Sequence, residues 1–429
     1  IEQSKSRLEQ LGFFKGVNVE TPKVPGSDDL IDVNYNVEEQ PSGSLNLSIG
    51  YSSSDGMIIG SSVSQNNFMG TGKKMSTSVN KTDAVTSLNL SFSNPYYTVD
   101  GISRGYSLFY SQTDFSELTS FSDYNTDTYG GRTNFGFPIN SRERLSFSVE
   151  ASRTLMEAKT SGIPEEILGF IDNQGDDFVE VTLGSSWSWT TLNRGLFPTA
   201  GAKQSLSVEA TVPGSELEYF RVTYNAQKYF PISGDWTFRI RSEVGFGGGY
   251  GDTEELPFFR NFRAGGVGSV RGYTTNTLGP KGAVKQYSTT DLDGDTVENT
   301  TSAILDTDDF IWVADNNRLG GDLLTEASME LVFPLPFVED QRSMRSVLFM
   351  DVGNVFDTQC HALEADGNGD TAHPSCVEGF EVDDLRVGAG VSLTWITAIG
   401  PLTFTFARAL NSQTGDETEG FEFSLGQVF

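Results

Sequence analysis

Strict alternation of apolar and polar residues recurs along most of this 429-residue chain and constrains its fold more than any other feature. In "SLNLSIGY", Leu45, Leu47, Ile49 and Tyr51 alternate with serine, asparagine and glycine. The same pattern occurs in "RLSFSVEA", "YFRVTYNAQ", "PLTFTFA" and "GFEFSLGQVF". A period of two places successive side chains on opposite faces of a β-strand. The chain is therefore predicted to be mainly β, with strands that carry one apolar and one small polar face.

The connections between these runs separate a membrane barrel from a soluble sandwich, which would show the same alternation. Short turns rich in proline and aromatic residues recur, as in "NPYYTVDG", "LFPTAGAK" and "VFPLPFVEDQ". Long polar or acidic loops occupy 112–124, 155–177, 251–322 and 357–383. This division of turns is typical of outer-membrane barrels, whose closure also removes free sheet edges. About sixteen runs predict a sixteen-stranded antiparallel transmembrane β-barrel; the alternative is a soluble β-sandwich array.

Charge and hydropathy narrow the class of protein further. The 58 acidic and 29 basic residues give a net charge of −29, which argues against a nucleic-acid partner because phosphates bind basic surfaces. No window approaches the roughly 20 apolar residues of a membrane-spanning helix. The acidic stretches 291–309 and 361–384 are interpreted as solvated loops. The chain begins at Ile1 without a charged-then-apolar leader, so we expect a fragment or a mature product.

The only two cysteines, Cys360 and Cys376, lie together in the second acidic loop. This placement predicts a disulfide formed in an oxidising compartment. A metal site that includes His361 and His373 is the less favoured alternative, because companion thiols are missing. The stretches "DLDGDTVEN" and "DGNGD" lack the glycine and glutamate of an EF-hand. We predict no dedicated metal site.

No set of residues in the sequence predicts an enzyme. The glycine-rich "GFGGGYGD" lacks the lysine and following helix of a phosphate-binding loop. No Ser/His/Asp or Cys/His arrangement is assembled at strand ends. We therefore predict no catalytic residues and no cofactor.

Several motifs resemble the family of outer-membrane proteins that join periplasmic POTRA domains to a sixteen-stranded barrel. The stretch "VRGYTTNTLGPK" is similar to the signature of that family. The segments "LGFFKGVNVETPKVPGS", "QNNFMGTGKK", "LNRGLFPTAG" and "PFFRNFRAGG" resemble its barrel-assembly members in the expected order. The resemblance implies that residues 1–40 are the C-terminal part of the membrane-proximal POTRA domain, in the periplasm. It implies that residues 41–429 form the barrel, with 251–322 folded into the lumen between the eleventh and twelfth strands.

The composition of the first forty residues agrees with a small α+β unit. Leu8 and Leu11 have helical spacing and Gly12 is placed to end the helix. Two strand-like segments, "GVNVETPKV" and "LIDVNYNVEEQ", follow on either side of a turn signal.

The same resemblance implies a function in the bacterial outer membrane, namely assembly and insertion of outer-membrane proteins without ATP. The implied partners are the lipoproteins of the barrel assembly (BAM) complex, unfolded outer-membrane protein clients, periplasmic chaperones, the lipid bilayer and lipopolysaccharide. The alternative within the superfamily is a secretion pore that exports one partner protein. A passive porin is disfavoured by the periplasmic unit and by the "VRGY" loop.

Strand parity identifies inward residues near that loop. In "ASMELVF" the apolar set points outward and Glu330 inward. In "SVLFMDVGNVF", Phe349 and Asp351 point inward, whereas Phe356 is predicted to point outward. Two carboxylates on neighbouring strands are thus predicted to face one lumen.

These carboxylates are predicted partners for the arginine of the loop motif. The motif residues are Val270, Arg271, Gly272 and Tyr273. A guanidinium binds carboxylates through two parallel hydrogen bonds and is always charged. We predict that Arg271 pairs with Asp351 and Glu330, with Tyr273 and Phe349 packed alongside, and the resemblance implies the same pairing. The alternative is an arginine on a mobile loop.

The barrel must close between its first strand, near 43–53, and its last, near 420–429. Glycine weakens strand interiors, so this seam is predicted to be poorly paired. A free edge there can bind an incoming strand by β-augmentation, as the resemblance also implies. The predicted seam residues are Leu45, Leu47, Ile49, Phe421, Phe423, Leu425, Gly426 and Phe429.

Overall fold

Sixteen antiparallel strands close into a barrel in the computed structural model of the chain, which confirms the predicted fold class. The structure describes residues 1–429 except 2–3, 6–7, 10–13, 28, 118–123, 159–162, 288–309, 336–337, 339–342, 361–362, 364–372, 377–378, 398–399 and 427–429. Among the described residues, no helix is long and apolar enough to cross a membrane.

The strands are numbered along the chain. They are β1 (Phe14–Glu20), β2 (Asn34–Glu39), β3 (Gly43–Ser52), β4 (Gly56–Gln65), β5 (Lys74–Lys81), β6 (Val85–Asn94), β7 (Ser103–Asp114), β8 (Tyr124–Asn140), β9 (Glu143–Ala158), β10 (Asp177–Thr190), β11 (Gly201–Thr211), β12 (Tyr219–Ser233), β13 (Trp236–Gly249), β14 (Lys281–Tyr287), β15 (Phe310–Arg318), β16 (Leu323–Phe333), β17 (Met344–Phe356), β18 (Arg386–Thr397), β19 (Gly400–Ala409) and β20 (Phe421–Leu425). One α-helix, α1 (Glu165–Gln174), and 3-10 turns at Phe68–Gly70, Phe115–Glu117, Phe258–Arg260 and Val382–Asp384 complete the described elements.

The barrel runs from β3 to β13 and from β16 to β20, and it closes between β20 and β3. Its eleventh and twelfth strands are therefore β13 and β16. The loop between them contains the β14–β15 hairpin, which forms a separate two-stranded sheet and was not predicted.

The two classes of turn lie at opposite ends of the barrel. The proline- and aromatic-rich turns join β6 to β7, β8 to β9, β10 to β11, β12 to β13 and β16 to β17. The long loops follow β7, β9, β13 and β17. Because strand direction alternates, every turn in the first group is at one end and every loop in the second at the other. The sequence-based division of turns is thus the division between the two barrel ends.

Alternation along the strands places apolar side chains on the outer surface. On β3, Leu45 and Ile49 are exposed, and on β17 Leu348 and Met350 are exposed between buried neighbours. Phe356, which was predicted to point outward, is an exception to this exposure. Phe356 is buried because Phe380, from the following loop, packs on it with ring centroids 5.0 Å apart.

Helix α1 lies in the long loop after β9, where the sequence analysis assigned only loop. Pro164 precedes its first turn, and Glu165 and Glu166 lie where acidic side chains favour a helix N-terminus. Ile167 is fully buried and packs with Phe178 in an aromatic-rich cluster at this end of the barrel. The helix is therefore stabilised by the strand ends and loops that it packs against.

In the first forty residues, β1 and β2 pair as an antiparallel hairpin. Ser4, Lys5, Leu8 and Glu9 are helical, whereas Leu11 and Gly12 lie outside the described residues. The hairpin agrees with the two predicted strands.

Candidate functional site

The segment after β13 lies against the inner face of the barrel. Phe262 forms a β-bridge with Gly321, and Ala264 forms one with Leu278, so the segment folds back on itself. A buried apolar cluster joins it to the wall strands β16 and β17. Its members are Phe262, Ala264, Val270, Tyr273, Leu278, Leu324 and Val355. We call residues 262–280 the lumen segment.

Arg271 is the most extensively bonded side chain of the lumen segment. Its Nε donates to Asp351 Oδ2 at 2.7 Å, and its Nη2 donates to Asp351 Oδ1 at 2.8 Å. The same Nη2 donates to Glu330 Oε1 at 3.0 Å. The guanidinium also stacks on Phe349, 3.5 Å from the ring centroid. The structure thus brings together Arg271, Asp351, Glu330 and Phe349.

The ion pair between Arg271 and Asp351 is buried, so breaking it would cost much more free energy than breaking a surface pair. Arg271 is only 9% exposed and Asp351 is fully buried. Ser328 Oγ donates to Asp351 Oδ1 at 2.6 Å, and the Arg271 amide donates to Asp351 Oδ2 at 3.1 Å. A buried charge pair is stable only when its remaining hydrogen-bonding groups are satisfied, and here Asp351 accepts from both sides.

Glu330 is shared with two arginines that the sequence analysis did not identify. Arg239 on β13 donates to Glu330 Oε2 at 2.9 Å, and Arg345 on β17 lies 3.9 Å from the same oxygen. Strand parity in the sequence could have placed Arg239 on the inner face. The β13–β16 register then sets it opposite Glu330. Three cations therefore surround one carboxylate.

Two glycines allow the backbone of the lumen segment to touch the wall. Gly272 has φ 98°, and a Cβ there would lie 2.9 Å from the Ala409 nitrogen. A Cβ on Gly388 of β18 would lie 1.8 Å from the carbonyl oxygen of Arg271. Gly388 lies opposite Asp351 in the β17–β18 register. The absence of a side chain at Gly388 thus lets the Arg271 backbone contact β18, next to Asp351, which binds the Arg271 side chain.

Tyr273 and Val270 anchor the two sides of the motif. Both are fully buried. The Tyr273 hydroxyl donates to Asn411 Oδ1 at 3.1 Å, so it bonds away from the Arg271 cluster, beside which it was predicted to pack. Tyr273 also forms a β-bridge with Thr418, in the loop that leads into β20.

Further arginines before the motif contact other parts of the wall. Arg260 Nη2 donates to Glu180 Oε2 on β10 at 3.0 Å. Arg263 Nη2 lies 3.4 Å from the Tyr124 hydroxyl on β8. The chain from 260 to 271 is therefore fixed to strands on opposite sides of the seam.

The seam has the shortest pairing in the described part of the barrel. Ser52 pairs with Ser424 and Tyr51 with Leu425, and no further β3–β20 pair occurs among the described residues. Every other neighbouring pair of barrel strands has five or more residue pairs, as in β19–β20. Gly426 has φ 83° and approaches Gly50 closely.

Most predicted seam residues lie on strands β3 and β20. Phe421, Phe423 and Leu425 are on β20, and Gly426 follows it directly. Phe429 lies outside the described residues.

A model of the Omp85 superfamily domain matches residues 67–429. The chain belongs to the Omp85 superfamily. Among Omp85 proteins it is 32% identical to the outer membrane protein assembly factor BamA of Neisseria meningitidis serogroup B, over all of this chain and 52% of that protein. It is 21% identical to the outer membrane protein assembly factor BamA of Nitratidesulfovibrio vulgaris, over all of this chain and 47% of that protein. The chain spans about half the length of the curated relatives it matches.

Solved structures give the same placement within the Omp85 superfamily. The crystal structure of BamA from Haemophilus ducreyi lacking POTRA domains 1–3 superposes with a TM-score of 0.78 at 28% identity, covering all of this chain and 78% of that one. CdiB from Acinetobacter baumannii has a TM-score of 0.55 at 13% identity, covering 99% of this chain and 68% of that one, which shows a shared fold. The predicted resemblance to barrel-assembly members is confirmed.

The predicted disulfide is confirmed, and it lies in a loop of this Omp85 barrel. Cys360 and Cys376 are bonded in the loop after β17. His373 Nδ1 accepts from the Cys376 amide at 3.0 Å, and its Nε2 lies 2.5 Å from Glu166 Oε1 on α1. The disulfide loop is thereby tied to the helix of another loop. His361 and the two calcium-like stretches lie outside the described residues.

Replacing Cys360 and Cys376 together with serine is expected to loosen the loop after β17 by about 3 kcal/mol, because the loop regains chain entropy. Faster amide exchange at 373–376, with unchanged exchange in β17, is the expected measurement. Equal protection of the loop in both proteins would show that the Glu166–His373 contact suffices.

Proposed function

We propose that this chain is the barrel of a factor that folds and inserts outer-membrane proteins into the bacterial outer membrane. The observation that carries the proposal is the seam, where two β3–β20 residue pairs occur among the described residues, against five or more between every other pair of neighbouring barrel strands. The curated relatives named above are outer membrane protein assembly factors, and they support the same activity.

A weakly paired seam supplies what strand insertion requires. Separation of β3 from β20 breaks few hydrogen bonds, so it costs less than separation at any other pair of described strands. The freed edge of β3 presents unpaired amide and carbonyl groups to a client strand, which adds by β-augmentation. The client gains free energy as its own backbone groups pair within the bilayer, so no ATP is needed.

The chain that enters the lumen also supports wall strands away from the seam. Arg271 cross-links β16 and β17 through Glu330 and Asp351. Arg260, just before the lumen segment, donates to Glu180 on β10. These contacts support β10, β16 and β17 from inside the lumen. Separation of strands is therefore favoured at the weakly paired β3–β20 seam.

The remaining assignments extend this proposal to the complete protein. Residues 1–40 are assigned to a membrane-proximal POTRA domain in the periplasm. The proposed partners are lipoproteins of the barrel assembly complex, periplasmic chaperones that deliver unfolded clients, and lipopolysaccharide in the surrounding membrane.

A disulfide across the seam tests the proposal directly. Ser52 and Ser424 are paired and both point inward, so Ser52→Cys with Ser424→Cys places two thiols across the seam. In the complete protein, we expect the locked form to lose client insertion, measured as the rate at which a small barrel client folds in reconstituted vesicles. Mild reduction is expected to restore that rate.

Each single cysteine variant, treated identically, is the control for the substitution and for reduction of Cys360–Cys376. A locked protein that inserts clients at the full rate would contradict the proposal. Export of one partner protein through the lumen, unaffected by the lock, would support the secretion-pore alternative.

A further inference from the structure

Strand β20 is held by the lumen segment as well as by its neighbours in the barrel. In the part of the chain that the structure describes, it pairs with β19 through five residues and with β3 through two. The lumen segment bonds the chain that leads into it. The Glu419 amide donates to the Gly272 carbonyl at 3.1 Å, and the Thr274 amide donates to the Glu417 carbonyl at 3.0 Å.

A side chain on β20 itself extends this contact into the strand. Glu422 is 4% exposed and points inward, opposite Thr405 of β19. Its Oε1 accepts the amide of Val267 at 3.1 Å. Its Oε2 is buried and has no hydrogen-bond partner among the described residues. The single described contact of this buried carboxylate is therefore made to the lumen segment.

The position of the Val267 amide depends on the docking of Arg271. The Gly266 amide donates to the Val270 carbonyl at 3.2 Å, and the Ser269 amide donates to the Gly266 carbonyl at 3.2 Å. Residues 266–270 thus form a tight turn that ends at Arg271. When Arg271 leaves Asp351, the turn loses its attachment at this end, although Ser269 still donates to Glu326, and Val267 can move away from Glu422.

Glu422 is also close to the seam pairs along the chain. Ser424, two residues later, pairs with Ser52. Between them, the Phe423 carbonyl accepts the Ser53 amide at 3.0 Å. The contact of Glu422 to the lumen segment is therefore directly followed along β20 by the contacts of Phe423 and Ser424 to Ser53 and Ser52.

We propose that Glu422 is a positioning residue that couples docking of the lumen segment to closure of the seam. With Arg271 docked, the Val267 amide holds β20 in line with β3. Release of the segment frees β20, and opening of the seam loosens the segment by the same free energy, since coupling between two sites is reciprocal. This inference rests on the proposed opening of the seam.

Distances across the seam in the complete protein test the coupling without any client. Nitroxide labels at Ile49→Cys and Phe421→Cys, both on the outer surface, report the separation of β3 and β20 by pulsed electron spin resonance in lipid discs. We expect Glu422→Ala to raise the ratio of open to closed seam about fivefold, the effect of one lost buried hydrogen bond. Glu422→Gln should keep the closed distance, because its amide oxygen accepts the same N–H.

Glu326→Ala is the matched control. Glu326 on β16 accepts the Ser269 hydroxyl, so it is a buried carboxylate that contacts the same turn without touching β20. This variant should leave the seam distances unchanged. Arg271→Ala should open the seam as Glu422→Ala does, and the double variant should open it no further, because both remove one coupling.

Unchanged distances in Glu422→Ala, or equal opening in Glu326→Ala, would overturn the inference. If Glu422→Ala does not fold, Glu422→Ser replaces it, because serine is already accommodated inward on β20 at Ser424 and is too short to reach Val267. The seam lock separates the two proposals. A disulfide-locked protein that still inserts clients overturns the proposed function. If the locked protein fails to insert clients but the seam distances in Glu422→Ala are unchanged, only the coupling is overturned.

Discussion

Arg271→Ala is expected to release the lumen segment and to destabilise the barrel by about 3–5 kcal/mol, the cost of leaving a buried charge unpaired. Asp351 is fully buried and receives two of its hydrogen bonds from this guanidinium. Glu330 loses less, because Arg239 still donates to it. The temperature at which the folded band disappears on a gel measures the stability, and amide exchange at 265–273 measures the docking.

Two further variants separate the effect of the paired hydrogen bonds and burial of Arg271 from the effect of losing any arginine. Arg271→Lys keeps the charge but loses the paired hydrogen bonds, so an intermediate stability is expected. Arg153→Ala removes an arginine whose partner Asp177 is also exposed, and little change is expected. An Arg271→Ala protein with wild-type stability and protected amides at 265–273 would show that the apolar cluster docks the segment by itself.

Gly388→Ala is expected to displace the lumen segment although it leaves every charge in place. The added Cβ would lie 1.8 Å from the Arg271 carbonyl oxygen, and the obstructing atom is backbone that cannot rotate away. Overpacking of this kind costs about 1–3 kcal/mol or more. We therefore expect faster amide exchange at 265–273.

Gly195→Ala is the matched control, because a Cβ at Gly195 meets no atom within 4 Å. It should leave amide exchange at 265–273 unchanged. Wild-type exchange in Gly388→Ala would contradict the close approach of the segment to β18.

Strand parity explains how much of this site the sequence could predict. The period of two identifies Glu330 and Asp351 as inward residues without any knowledge of the fold. Their meeting with Arg271 follows once the loop is known to enter the lumen, which the family resemblance implied. Helix α1 also has sequence signals, namely Pro164 and the two acidic residues that follow it, but only a loop was predicted there.

The remaining contacts depend on how distant strands are aligned around the barrel. Gly388 faces Arg271 because β18 is in a particular register with β17. Glu422 meets Val267 because the last strand passes beside a turn that is 155 residues earlier in the chain. Parity gives the face of each residue but not its height along the wall, so neither contact could be read from alternation.

The sequence distances between these contacts have a consequence for how the chain itself folds. Arg271 and Asp351 are 80 residues apart, as are Arg260 and Glu180, and the β3–β20 pair joins the two ends of the barrel. Contacts of such long separation require large loops to close first and form slowly. Neighbouring hairpins should therefore form early, with docking of the lumen segment and closure of the seam last. The contacts that a maturing copy makes last are the ones that a finished copy must give up first.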